Sequence, residues 1–78
     1  MKVKLVDSYE NHFIWTVKSY EGIHIVDGQK PHTLRGWQYI DHEGYQRTVE
    51  GNWSMLVDAF KLTAENYGLK TTLSKKGE

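Results

Sequence analysis

The chain contains no cysteine, which excludes a disulfide framework and every thiolate metal site. It has no apolar run near the roughly 18 residues that a membrane-crossing helix needs. It also carries no excess charge. Ten basic and ten acidic side chains cancel to a formal net charge of +0, so the basic footprint usual in nucleic-acid binders is missing. The start, Met1-Lys2-Val3-Lys4-Leu5-Val6-Asp7, alternates charged and apolar residues and has no signal-peptide core. These absences lead to the expectation of a cytoplasmic protein with no membrane partner.

What is present is one small domain. At 78 residues, 38% of them hydrophobic, the core is lean. The 13% aromatic content compensates, because each ring buries roughly 150–250 Å². We expect a single α+β domain over residues 1–73 and a solvated tail over 74–78, with marginal stability.

Val3 and Leu5 alternate with Lys2 and Lys4, which predicts a short strand with one wet face. Asp7-Ser8-Tyr9-Glu10-Asn11 is turn chemistry. Phe13 to Lys18 and Ile23 to Val26 read as two strands rich in β-branched and aromatic residues. A three-residue loop, Tyr20-Glu21-Gly22, would pair Ser19 with Ile23 and Val17 with Ile25. It gathers Phe13, Trp15, Val17, Ile23 and Ile25 on one face and puts Gly22 at the left-handed bulge position. Asp27 to His32, with the only proline, is a loop. Leu34 to Ile40 is a further strand. His42-Glu43-Gly44 predicts a second three-residue hairpin into Tyr45-Gln46-Arg47.

The period then changes from 2 to 3.6. Val49, Trp53, Leu56, Val57, Phe60, Ala64 and Tyr67 fall within one arc of about 80° on a helix. The pattern predicts a long C-terminal helix over about 49–67, with Thr48 preferred to Asn52 as N-cap. Gly68 takes the C′ position, and Leu69 makes the accompanying apolar contact. Lys70 to Leu73 can add a last short strand. The predicted architecture is an antiparallel β-meander of four to five short strands packed on one long helix.

Catalytic chemistry finds no support in this pattern. No nucleophile elbow, zinc-protease motif, paired carboxylates or glycine-rich phosphate loop occurs, so we expect a non-enzyme without a cofactor. His12, His24, His32 and His42 lack metal-ligand spacing, and no metal is expected. Asn52-Trp53-Ser54 matches a glycosylation acceptor by chance, given the absence of a secretory signal.

The aromatic side chains stand out instead. Trp37, Tyr39 and Tyr45 alternate with Arg35 and Arg47 about the later hairpin. Tyrosine, tryptophan and arginine are typical anchors of binding surfaces, and the same group can stack bases on a sheet. That face is otherwise simply the core under the helix. A second candidate surface is Met55, Ala59 and Leu62, on the side of the helix roughly opposite Trp53, which is suited to a weak homodimer.

The Met-Lys-Val-Lys-Leu start, the β-meander and then Tyr45-Gln46-Arg47-Thr48-Val49-Glu50 opening a terminal helix resemble short phage and prophage proteins. That resemblance implies a host-takeover factor, such as an inhibitor of a bacterial defence system of the anti-CRISPR kind, acting on a larger protein partner in the host cytoplasm. The strand-strand-strand-strand-helix order is also similar to PC4-like and Whirly/PUR single-strand binders, which implies nucleic acid as the alternative partner.

Overall fold

Five antiparallel strands and one helix make up the computed structural model, which describes residues 1–75. In chain order they are β1 (Lys2–Val6), β2 (His12–His24), β3 (His32–Ile40), β4 (Gln46–Glu50), α1 (Trp53–Asn66) and β5 (Lys70–Thr71). The sheet order is β4-β3-β2-β1-β5. The first four strands form a meander, and the chain returns through the helix to place β5 on the far edge. The expected α+β layout is therefore present.

Both short hairpins use the same device. After β1, the Asp7 carboxylate accepts from the Tyr9 and Asn11 amides at 2.8 and 2.9 Å, and Glu10 closes the loop at φ +66°. After β3, Asp41 accepts from the Glu43 and Tyr45 amides at 2.9 and 3.0 Å, and Gly44 takes φ +89°. The three-residue His42-Glu43-Gly44 turn thus forms as predicted, with glycine where the left-handed residue falls.

The first predicted hairpin does not form. β2 runs unbroken through Tyr20-Glu21-Gly22, and the register is Val17↔Tyr39, Ser19↔Trp37, Glu21↔Arg35 and His24↔His32. The reversal falls within residues 25–31, between β2 and β3. The apolar pattern set the expected register by assuming that both strands bury a face along their whole length. Beyond Val17 no helix covers β2, so burial exerts no choice there. Ile23 and Ile25 stay 71% and 70% exposed. Gly22 has a different role from the predicted one: the Tyr20 ring lies over it, and a side chain there would overlap the Tyr20 hydroxyl.

The helix is also shorter than the periodicity predicts, at 14 residues. Thr48, Val49 and Glu50 pair with Gln38, Trp37 and Gly36 as strand β4. Gly51 then turns the chain, and the Asn52 side chain, rather than Thr48, caps the helix by accepting from the Met55 amide at 3.1 Å. Val49 matched the helical arc by coincidence of spacing; it reaches the same core from the sheet. The far end is as predicted. The Gly68 amide donates to Glu65 and the Leu69 amide to Ala64, at 2.9 and 2.8 Å, which is the Schellman arrangement.

Val3, Leu5, Trp15, Val17 and Tyr39 of the sheet meet Leu56, Val57, Phe60 and Ala64 of the helix in one buried cluster. Trp15 is fully buried. Its indole N–H donates to His42 Nδ1 at 3.0 Å. Leu69 and Leu73 close the cluster at the β5 end. The tail predicted from residue 74 is held at its first positions. The Ser74 carbonyl accepts from Trp53 Nε1 at 2.7 Å, and Lys75 pairs with Asp58 at 2.9 Å; residues 76–78 lie outside the described part.

Candidate interaction surfaces

A sheet with one helix has one covered face. Register decides which side chains lie on it. Phe13, Trp15 and Val17 share that face with Ser19, Glu21 and Ile23 at period two, and through the ladder with Arg35, Trp37, Tyr39, Arg47 and Val49. Four of the five candidate anchors, Arg35, Trp37, Tyr39 and Arg47, therefore share a face, and it is the one the helix covers; Tyr45 lies in the turn before β4.

They do not form one surface. Tyr39 is 2% exposed; its ring packs on Trp15 and Phe60, and its hydroxyl meets Thr63 Oγ1 at 2.8 Å. Trp37 is half-buried, edge-on to Trp53 at 5.1 Å. Arg35 lies outside the helix and pairs across the strands with Glu21 at 2.9 Å. Glu21, Arg35, Trp37 and Gly51 line a hollow of about 440 Å³ there. Tyr45 and Arg47 sit at the other end of the sheet, Tyr45 exposed and Arg47 half-buried. Of the second group, Met55 and Leu62 are exposed, whereas Ala59 is half-buried and its carbonyl accepts from Thr63 Oγ1 at 3.0 Å.

The outer half of the β2–β3 hairpin was not singled out in the sequence. Thirteen residues of β2 at about 3.3 Å each extend roughly 43 Å, while fourteen helical residues span about 21 Å. The hairpin therefore projects as an arm, and the molecule measures 51 × 26 × 18 Å. β1 pairs with β2 only as far as Thr16, and β4 pairs with β3 only from Gly36 onward. Both backbone groups of Val17 bond Met1, at 2.7 and 2.8 Å. At period two those of Ser19, Glu21 and Ile23 point to the same side, where no strand of the described residues pairs with them. The arm ends in three exposed apolar residues, Ile23, Ile25 and Val26.

No helix among the described residues covers the other face of the sheet. Lys2, Lys4, His12, Ile14, Lys18, Tyr20, His24, His32 and Lys70 all project from it by parity. His24 and His32 face each other across the arm with ring centroids 5.3 Å apart. Among the described residues no three histidine or carboxylate side chains converge on a metal position.

The main electrostatic feature is Asp41, a buried carboxylate that joins the β3–β4 turn to the helix end. Its Oδ2 accepts from the Tyr67 hydroxyl at 2.8 Å. Burial pushes the carboxyl up. The Tyr67 hydroxyl and the Tyr45 and Glu43 amides, with the Arg47 charge, outweigh this and hold it below the ordinary aspartate value. The Tyr67 hydroxyl is raised in turn, first by donating to that carboxylate, then by burial and the Asp41 charge. An aspartate just before an x-Glu-Gly turn is the sequence signal for such a site.

No described helix is long and apolar enough to cross a membrane. Comparison of the chain with protein-family profiles, curated proteins and solved structures finds no match.

Proposed function

We propose that this is a non-enzymatic binding protein that acts by occupying a surface of a larger protein partner, and that the β2–β3 arm is the part that reaches it. The observation that carries this reading is the arm's exposed apolar end, Ile23, Ile25 and Val26, beside an unpaired strand edge at Ser19–Ile23. An unpaired edge recruits an extended segment of another chain by strand addition, and flanking apolar side chains supply specificity. Arg35 and Trp37, two of the five candidate anchors, line the hollow at the arm's root and extend this surface toward the helix. Tyr45 and Arg47 lie too far away to join it. The resemblance to phage proteins directs the proposal to a host protein, including components of bacterial defence.

Affinity capture from a lysate of the natural host tests the reading. Wild type and an Ile23→Lys/Ile25→Lys variant are compared after circular dichroism shows equal folding. Both positions are exposed, so the fold tolerates the change. Specific enrichment by wild type that the variant loses supports the proposal. Identical capture by the two proteins contradicts it.

A further inference from the structure

The chain is neutral overall, but its charges are sorted by face. The uncovered face of the sheet carries Lys2, Lys4, Lys18 and Lys70 against a single carboxylate, Glu50. The acidic groups that balance them lie elsewhere: Asp7, Glu10, Asp27, Asp41 and Glu43 in turns, Glu21 on the opposite side of the arm, and Asp58 and Glu65 on the helix.

The four lysines stand in single file. Lys70 is opposite Val6, Lys4 is two residues before Val6, Lys2 two before Lys4, and Lys18 two beyond Thr16, the partner of Lys2. Each step is one same-face neighbour along a strand or one diagonal between strands, about 7–8 Å. This is of the order of one nucleotide in an extended single strand. Apolar side chains lie along the row: Ile14, exposed, opposite Lys4, and half-buried Val6 beside Lys70, with half-buried Ile40 on β3 opposite Thr16. His12 and Tyr20 add aromatic rings at its two ends.

We infer that the uncovered face of the sheet binds single-stranded nucleic acid, with Lys70, Lys4, Lys2 and Lys18 following the phosphates and the side chains between them receiving the bases. A charged thread bearing flat apolar groups matches a lysine row set in an apolar surface. The single file favours a linear polyanion over a duplex, which presents two phosphate rows. The interleaved apolar residues favour nucleobases over the carboxylates of an acidic peptide. This surface lies on the opposite side of the sheet from the Arg35–Trp37 hollow, so the inference stands apart from the protein-partner proposal.

The test is anisotropy of a fluorescent twenty-nucleotide oligothymidine titrated with the full chain from low salt upward. Four phosphate contacts on a single strand predict a log–log salt slope of about −2.8, hence affinity falling about 50-fold between 50 and 200 mM salt. Lys4→Gln and Lys18→Gln should each reduce the slope by about 0.7, with folding verified by circular dichroism. Lys61→Gln, on the helix, should leave it unchanged. An Ile25→Ser change in the arm should leave oligonucleotide binding intact, which separates this inference from the function proposed above. Absence of binding at the lowest salt overturns the inference. So does a slope indifferent to Lys4 and Lys18, or equal competition by polyglutamate, duplex DNA or anionic vesicles.

Discussion

Replacing Asp41 by asparagine isolates the charge of the buried carboxylate. Asp41 is 4% exposed and accepts three hydrogen bonds, from the Glu43 and Tyr45 amides and the Tyr67 hydroxyl. Hydrogen bonds to a charged group contribute about 1.5–3 kcal/mol each, and neutral ones about 1. Asparagine keeps the shape and retains neutral bonds to the amides, which water also reaches in the turn. The expected loss is therefore about 1–3 kcal/mol, or roughly 4–8 °C in Tm for each kcal/mol in a domain of this size. The pH dependence has a definite sign. The carboxyl titrates lower in the folded chain than in the unfolded one, so its contribution is fully present above the unfolded value of about 3.9 and disappears as pH falls through the folded value. Urea unfolding followed by tryptophan fluorescence should show wild type well above Asp41→Asn at pH 7, with the gap closing towards pH 3. Tyr67→Phe should cost less in the Asp41→Asn background than in wild type, because the two groups share one bond. Equal stability at pH 7, or a gap that stays constant with pH, would refute the reasoning.

Glu10 occupies a left-handed conformation at φ +66° that costs a side-chain-bearing residue about 1–2 kcal/mol. Glu10→Gly should therefore raise stability by about 0.5–1 kcal/mol; thermal unfolding that shows a loss contradicts this account of the turn. Gly36→Ala should act in the opposite direction, because a Cβ there would overlap the Val49 carbonyl oxygen of the neighbouring strand. A cost of about 1–3 kcal/mol is expected, with amide exchange quickening first in β4, and unchanged exchange there contradicts it. Met55 and Leu62 are exposed on the outer side of the helix, about 10.5 Å apart along its axis. Across a two-fold axis four such residues offer about 6–12 kcal/mol against an association cost of about 4–15 kcal/mol. Sedimentation equilibrium should show a weak dimer that Met55→Glu/Leu62→Glu abolishes, and a monomer at high concentration refutes it.

How much of this was readable in the chain depended on whether burial acted on each segment. Lys2 to Val6 alternates because one face of β1 meets Trp15 and the helix, and that strand is where the pattern places it. The stripe from Trp53 to Tyr67 and the Gly68 cap were legible for the same reason. Ile23-His24-Ile25 alternates apolar and polar side chains too, but the arm buries neither face. The pattern therefore could not say where the strand reverses. Thr48 to Glu50 had a helical partner in the periodicity and a strand partner in β3, and nothing local marked the ladder as the stronger. The face shared by Arg35, Trp37, Tyr39 and Arg47 followed from alternation, but its cover depended on where the helix lies. The lysine row escaped notice because net charge averages over faces, and Lys18 and Lys70 join Lys2 and Lys4 only through the register.

The most direct test of the arm as the partner-binding element is site-specific photo-crosslinking. A photoreactive phenylalanine analogue replaces Ile25 in one protein and Leu62 in another, and each is irradiated in a lysate of the natural host. The account predicts one dominant adduct with a larger protein from position 25 and none of that mass from position 62. Adducts from position 62 alone, or only self-adducts from position 25, would contradict it.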